Sequence, residues 1–140
     1  MARTAFALFS GVFAMMIAIT FTGLACVKLF PLPPGFDQHN PEAVAAAVAA
    51  MPLAAKLLVV SGWCLGAFAG GGVAARIAQQ YRVGAALLIG ALVVAGTLAN
   101  ASSVPHPLWM TAVGVVLPLP LAYLAARLAF RLPHRSPDSV

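Results

Sequence analysis

The stretch GWCLGAFAGGGVAARIAQQYR, residues 62–82, places small side chains four residues apart within an apolar run. The members of this glycine ladder are Gly62, Gly66, Gly70, Ala74 and Ala78. Residues four apart lie on the same side of a helix, so this helix has one face built of hydrogen atoms and methyl groups. In lipid, helices associate through close contact between such residues, because burying more hydrocarbon gains little there. The ladder therefore predicts a membrane helix of the glycine-zipper type.

The ladder has two interpretations that the sequence leaves open. Glycine costs about 1 kcal/mol relative to alanine inside a helix, so a run of glycines implies compensation by packing. The packing partner is either another helix of the same chain or the same helix of a second copy. The first interpretation is favoured, and the second predicts a homodimer.

The composition indicates an integral membrane protein. The chain has 140 residues, of which 62% are hydrophobic and 8% are charged, whereas a soluble domain carries about 25% charged residues. Four apolar runs reach the roughly 20 residues that a membrane span requires. The predicted spans are residues 5–29, 53–75, 83–101 and 108–130. We therefore predict one all-α domain, residues 1–140, folded as a four-helix membrane bundle.

The arginines predict the orientation of this bundle. They flank the amino terminus, the loop between the second and third spans, and the carboxyl end: Arg3, Arg76, Arg82, Arg127, Arg131 and Arg135. By the positive-inside rule, both termini are cytoplasmic, and residues 30–52 and 102–107 face outward from a bacterial inner membrane. The net charge of +5 is then a topology signal that favours membrane lipids, with anionic headgroups at the inner leaflet, as partners. Nucleic acid is not expected as a partner.

The first apolar run is expected to stay in the protein as a span. It is longer than the 7–15 residues of the apolar region of a signal peptide. Cys26 follows a weak lipoprotein-like box, in which Gly23 stands where leucine is usual. Cys26 and Cys64 are interpreted as small packing residues, and the sequence does not decide whether they form a disulfide.

The first outward loop contains a short predicted helix. Prolines and Gly35 disfavour a helix in its first half. Asn40, Pro41 and Glu42 are typical of a helix start, since Asn caps free amides, Pro suits the first turn and Glu favours the positive end of the dipole. A helix over residues 41–51 would be too short to span the membrane.

Polar residues of the two outward loops form the first candidate site. The candidate members are Asp37, His39, Glu42, Asn100 and His106, with Ser102 and Ser103 nearby. Imidazoles together with a carboxylate are typical of zinc sites and of acid–base catalysis. Polar residues also collect in water-facing loops simply because they cannot lie in lipid, and this second interpretation is favoured. The sequence therefore predicts neither a bound metal nor another cofactor.

A break in the fourth span forms the second candidate site. Pro118 and Pro120 lack the amide hydrogens that would bond to the carbonyls of Gly114 and Val116. Transporters use such broken helices to bind substrates and ions, although a bend that improves packing explains the prolines as well and is favoured. The spans contain no Asp or Glu, the residues that proton-coupled transporters place in the membrane.

Part of the sequence resembles a known group of proteins. The matching features are Trp63-x-x-Gly66, Gly70-Gly71, Ala74-Ala75, Asn100 and the hairpin Pro105-His106-Pro107-Leu108-Trp109. Over about residues 50–130, this pattern is similar to small bacterial inner-membrane proteins with four predicted spans and usually no assigned function. The resemblance implies the fold and carries no activity.

Three functional hypotheses follow from these observations. The first is a non-enzymatic accessory or scaffold protein that associates with a second copy or with another membrane protein. The second is a small transporter or channel for a neutral or weakly polar solute, which uses the break at Pro118 and Pro120. The third is an outward-facing enzyme or metal site built on His39 and His106.

Overall fold

The computed structural model describes residues 2–32, 34–37, 39–78, 80–104 and 106–131. Within these ranges the chain forms six helices and no strand. The helices are α1 Ala2–Leu29, α2 Pro41–Ala50, α3 Leu53–Ile77, α4 Arg82–Ser103, α5 Leu108–Val116 and α6 Pro118–Arg131. Pro105 and Arg135, named above, lie outside the described residues.

Four spans are long enough and apolar enough to cross a membrane. Three are α1, α3 and α4, and the fourth, Leu108–Ala129, is formed by α5 and α6 together. Their mean hydropathy lies between 1.7 and 2.0. The predicted class, an all-α four-helix membrane bundle with a short helix in its first loop, is confirmed. Several helices extend past the predicted apolar runs, because helical hydrogen bonding continues through polar end residues such as Arg82 and Ser103.

Helix α3 is the centre of the bundle. It contacts α1, α4, α5 and α6, whereas α1 packs extensively only on α3. In the most apolar window of each helix, 39% of the residues are buried for α3 and 17% for α1. Helix α1 is therefore peripheral, and its attachment depends on its contact with α3.

The two ends of the bundle differ in their charges. Arg3, Arg76, Arg82 and Arg127 lie at one end, here called the arginine end. The first loop, α2 and the turn between α4 and α5 lie at the other, here called the hairpin end. Because Arg3 Nε donates to the carbonyl of Ile77 over 3.3 Å, the start of α1 lies beside the end of α3. Neighbouring spans therefore run antiparallel.

The interior is built mostly of small side chains. One buried cluster joins α1, α3 and α4, with Ala7, Met15, Ala67, Ala74, Ala78, Ala85, Ile89 and Val93. A second joins α3, α4 and α6, with Ala75, Ala86 and Ala126. Small residues at these surfaces allow neighbouring helices to approach closely.

Helix α1 packs through a different set of residues from the predicted small stripe. The sequence places Ser10, Ala14, Ala18, Thr22 and Cys26 four residues apart, which predicts a stripe of small residues on α1. The buried residues of α1 are instead Ala7, Gly11, Met15, Thr22 and Cys26. Each step of four residues rotates about 40° beyond a full turn, so a strict spacing of four drifts off one face. The step of seven from Met15 to Thr22 corrects this drift and keeps the contact on α3.

The small residues of α4 divide between two faces. Ala86 and Gly90 are buried against the neighbouring helices. The spacing of four also predicts a contact at Ala91, Ala95 and Ala99, but these residues are exposed, so they take no part in packing within this chain. Small size alone therefore did not identify the contact face of this helix.

Helix α2 begins as the sequence predicts. The side-chain oxygen of Asn40 accepts hydrogen bonds from the amides of Glu42, at 3.0 Å, and Ala43, at 3.4 Å. The helix ends at Ala50, one residue before the predicted end. None of its residues is buried, and it is therefore a surface helix of the hairpin end.

Candidate functional site

The glycine ladder lies directly against helix α1. A Cβ atom built on Gly70 would lie 2.6 Å from the carbonyl oxygen of Gly11 and 2.8 Å from the Cβ of Met15. One turn earlier, a Cβ on Gly66 would lie 2.8 Å from the Cγ1 of Ile19. Real Cβ atoms are not found at such distances, so these glycines are the only residues that fit the observed spacing of the two helices.

The contact is reciprocal at Gly11. A Cβ on Gly11 would lie 2.8 Å from both the carbonyl oxygen of Gly70 and the Cβ of Ala74. At the other end of the ladder, a Cβ on Gly62 would overlap the hydroxyl of Thr22. The two helix backbones therefore meet with little side-chain material between them, and the partner of the ladder in this structure is a helix of the same chain.

The buried polar side chains of the described residues are Thr22 and Thr97. The hydroxyl of Thr22 donates to the carbonyls of Ala18 and Ile19, at 3.0 and 2.9 Å. The hydroxyl of Thr97 donates to the carbonyl of Val93 over 2.9 Å. Both donors are satisfied within their own helices, so this part of the interior offers a solute no uncommitted polar side chain.

A ring pair joins the hairpin end to the central helix. The centres of the Trp63 and His106 rings are 6.1 Å apart, and the ring planes meet at 65°, an edge-to-face arrangement. His106 Nδ1 lies 2.7 Å from the carbonyl oxygen of Val104. Since a carbonyl only accepts, Nδ1 carries the hydrogen. His106 is therefore held as a half-buried packing residue over α3.

Gly114 provides the space that Trp63 occupies. A Cβ on Gly114 would lie 2.7 Å from both Trp63 Cε3 and Thr97 Cγ2. Trp63, Thr97, His106 and Gly114 form one cluster, here called the hairpin-end cluster. The sequence singled out His106 for its chemistry and Gly114 for its free carbonyl, and it gave no role to Thr97. The contact between Trp63 on α3 and Gly114 on α5 depends on the register between these helices, so the sequence alone does not predict it.

The polar residues of the first loop form a turn. The side chain of His39 is 86% exposed, and its Nδ1 lies 3.5 Å from Asp37 Oδ1. The same oxygen of Asp37 accepts a hydrogen bond from the amide of His39 over 2.9 Å. Glu42 is exposed in the first turn of α2. These contacts are those of an Asx-turn leading into a capped helix.

The second loop is likewise organised by local hydrogen bonds. The hydroxyls of Ser102 and Ser103 donate to the carbonyl of Ala99. Asn100 is exposed, and its backbone carbonyl accepts a hydrogen bond from the backbone amide of Val104 over 2.9 Å.

The structure gives the two histidines of the candidate site different surroundings. His39 is exposed beside Asp37, whereas His106 is half-buried against Trp63. Among the described residues, no three His, Cys, Asp or Glu side chains gather in a group that could hold a metal ion. The arrangement supports turns, caps and ring packing at the hairpin end.

The fourth span is broken at Leu117. Helix α5 ends at Val116, and α6 begins at Pro118. The side chain of Pro118 is less than 2% exposed, whereas Pro120 is exposed on the outer surface of the bundle. A residue with so little exposed area faces packed protein and does not line an open path.

Helix α4 packs against the bend of the fourth span at Gly90. A Cβ on Gly90 would lie 3.2 Å from the carbonyl oxygen of Pro118 and 3.1 Å from the Cβ of Ala122. These distances are tighter than most real Cβ contacts, so an alanine at Gly90 would press on the bend. The break and the glycine are therefore complementary parts of one helix contact.

The outer face of α1 carries a shallow apolar groove of about 330 Å³. It is lined by Phe13, Met16, Ile17, Thr20, Phe21 and Leu24. All of these residues belong to one helix, on the side that turns away from the bundle. A surface of this composition is suited to contact with hydrocarbon chains.

The two cysteines do not pair. Both are free, and the sulfur of Cys26 lies 3.9 Å from the carbonyl oxygen of Ala55. Cys64 follows Ala55 by nine residues, about 13 Å further along α3. A disulfide requires Cα atoms within about 7 Å, so Cys26 and Cys64 are packing residues.

No protein-family model matches this chain, and no curated protein or solved structure is significantly similar to it.

Proposed function

We propose that this protein is a non-enzymatic component of a bacterial inner membrane, an accessory or scaffold protein with cytoplasmic termini. The observation that carries the proposal is the contact between Gly11 and Gly70, where two helix backbones meet. Around it the described interior is apolar, apart from two threonines bonded to their own helices. Such an interior favours rigid packing, the property that a scaffold needs.

The alternatives have less support from the geometry. A transporter needs a polar path to its broken helix, yet Pro118 is buried and fitted to Gly90. An outward-facing enzyme needs an acid or base positioned beside a substrate pocket. His106 packs on Trp63, and His39 lies on an exposed turn.

The orientation is proposed from the charges. One end of the bundle holds Arg3, Arg76, Arg82 and Arg127, and the described lysines and carboxylates lie at the other. By the positive-inside rule, the arginine end faces the cytoplasm.

Cysteine labelling in intact cells tests this orientation. In a Cys26→Ser/Cys64→Ser background, single cysteines are introduced at two exposed positions, Ser102 at the hairpin end and Tyr81 at the arginine end. We expect a membrane-impermeant maleimide to label Ser102→Cys in intact cells and Tyr81→Cys only after permeabilisation. The reverse pattern would overturn the proposed orientation.

Photo-crosslinking in the native membrane tests the scaffold function. A photoreactive amino acid at Phe13, which is 63% exposed, should give a discrete crosslinked product with a second copy or with another membrane protein. The same probe at Leu92, which is 49% exposed, examines the outer surface of α4. If both positions crosslink only to lipid, the protein has no stable partner and the scaffold proposal fails.

An osmotic-swelling assay tests the transporter alternative. Proteoliposomes are placed in solutions of small neutral solutes such as glycerol and urea. For a scaffold, we expect swelling at the rate of protein-free liposomes. Faster swelling that changes in a Pro118→Ala variant would instead identify the broken helix as a transport element.

A further inference from the structure

Two arginines at the arginine end each donate a hydrogen bond through Nε. Arg3 donates through Nε to the carbonyl of Ile77 over 3.3 Å. Arg127 donates through Nε to the hydroxyl of Tyr123 over 3.0 Å, and its guanidinium lies 5.3 Å from the centre of that ring. In both cases the hydrogen bond is made by Nε and does not use the two terminal nitrogens of the guanidinium group.

Close helix packing brings these arginines and Arg76 to one level of the molecule. Arg76 follows Ala75, and Arg127 follows Ala126, and both alanines belong to the same buried cluster. Arg3 reaches the last turn of α3, the turn that also contains Arg76. We call Arg3, Arg76 and Arg127, all exposed, the arginine rim.

The rim has no carboxylate near it in the described chain. Asp37 and Glu42 both belong to the loop and helix of the hairpin end. A group of guanidinium ions that is not neutralised by nearby acids attracts anions, and a guanidinium fork matches the oxygens of a phosphate in a bidentate manner.

The surroundings of the rim favour a lipid as the source of that phosphate. The rim lies at the ends of membrane-spanning helices, where headgroups are found. Leu124 and Leu128, on either side of Arg127 in α6, are exposed at 48% and 43%. A phosphate bound at Arg127 would therefore have an apolar helix surface beside it for the acyl chains.

We propose that the arginine rim binds the headgroup of an anionic phospholipid. This inference rests on the proposed membrane location and adds a defined lipid partner to it. The phosphodiester would be held by terminal nitrogens of Arg76 and Arg127, with Arg3 beside them.

Native mass spectrometry of the full chain in detergent tests the proposal. The probes are phosphatidylglycerol and phosphatidylcholine with identical acyl chains. We expect the wild-type protein to retain the anionic lipid in preference to the zwitterionic one. Arg76→Gln/Arg127→Gln should lower that preference roughly tenfold or more, since each arginine near a charged surface contributes substantially to lipid attraction.

The matched control removes the same charge from the other end. Lys28→Gln/Lys56→Gln lowers the net charge by the same amount and leaves the rim intact, so it should keep the wild-type preference. An equal loss in this variant, or an unchanged preference in the arginine variant, overturns the proposal. So does displacement of the lipid by millimolar inorganic phosphate, because the rim would then be a site for free phosphate.

Two further measurements keep the outcome interpretable. A melting curve checks that the arginine variant is folded, and if it is not, Arg76→Gln and Arg127→Gln must each lower the preference when tested singly. Detergent micelles have no leaflets, so lipid binding in them is independent of orientation. A reversed labelling pattern, with the wild-type protein still preferring the anionic lipid, would overturn the orientation alone. If the labelling is as expected but the wild-type protein shows no lipid preference, this inference alone is overturned.

Discussion

At the scale of single residues, the glycines at the helix contacts of this protein matter because they lack a side chain, and not because they adopt an unusual backbone conformation. Among the described residues, Gly35 is the glycine that adopts a positive φ, at 80°. Gly11, Gly66 and Gly70 have ordinary helical conformations, and what they provide is the absence of a Cβ at a helix contact. Their substitution should therefore act through steric overlap between α1 and α3.

Gly70→Ala should destabilise the bundle by about 1–3 kcal/mol, the usual cost of overpacking a close contact. The added methyl would meet the backbone of Gly11, which cannot rotate away. The measurement is the midpoint of thermal unfolding in detergent, followed by circular dichroism.

Gly96→Ala is the matched control for this substitution. Among the described residues, nothing lies within 4 Å of a Cβ built on Gly96. The higher helix propensity of alanine should therefore leave the midpoint unchanged or raise it slightly. Equal midpoints for the two variants would show that the helices can separate at no cost, contrary to the packing described here.

At the scale of helices and turns, the hairpin-end cluster couples the turn after α4 to α3. A double-mutant cycle with Trp63→Ala and His106→Ala should give a coupling of about 0.5–1.5 kcal/mol, as measured for other aromatic pairs. The unfolding free energy in a denaturing detergent series provides the four values of the cycle. A cycle that pairs His106→Ala with Tyr81→Ala, at the opposite end of the bundle, should give no coupling. If the first cycle also gives none, the ring contact does not stabilise the protein.

Substitution by alanine should affect the two prolines of the fourth span differently. Pro118→Ala removes about two buried methylene groups, each worth roughly 0.8 kcal/mol, and regains a hydrogen bond worth about 1 kcal/mol. We expect a net loss of about 1 kcal/mol, because the bend also fits Gly90. Pro120→Ala regains an amide at an exposed position, so its melting midpoint should stay level or rise. A higher midpoint for Pro118→Ala would mean that the bend is not required for packing.

The sequence predicts the helices of this protein better than it predicts their contacts. Length, hydropathy and the cap at Asn40 are local properties, and they located the four spans and the short helix. The contact face of α1 depends on a phase change between Met15 and Thr22 that the spacing of small residues does not reveal. Likewise, the pairing of Trp63 with His106 joins residues of distant segments. Such pairings are set by the register between helices, which composition does not determine.

At the scale of the whole molecule, α1 and the remaining helices are two bodies joined by one surface. Helix α1 contacts α3 along its length and α4 only slightly. Most described residues of the first loop between them are exposed, and none of them belongs to the buried clusters. The covalent link through this loop should therefore be dispensable for association of the two parts.

A split protein tests this conclusion. When residues 1–35 and 36–140 are expressed together as separate chains, they should copurify in detergent through the contact of Gly11 with Gly70. Gly70→Leu in the second fragment should abolish the copurification, and Gly96→Leu should not. Recovery of both fragments together despite Gly70→Leu would show that another surface holds α1.

The dependence of α1 on α3 has a consequence for biosynthesis. When α1 leaves the ribosome, the helix that covers Gly11 has not yet been translated, and the intervening segment through α2 must follow first. During this interval α1 stays next to the insertion machinery or in lipid, with its contact face open to other nascent helices. Correct assembly therefore requires that α3 is synthesised before α1 associates with another nascent helix. Slower translation of residues 36–77 would lengthen the time for which the contact face of α1 is uncovered.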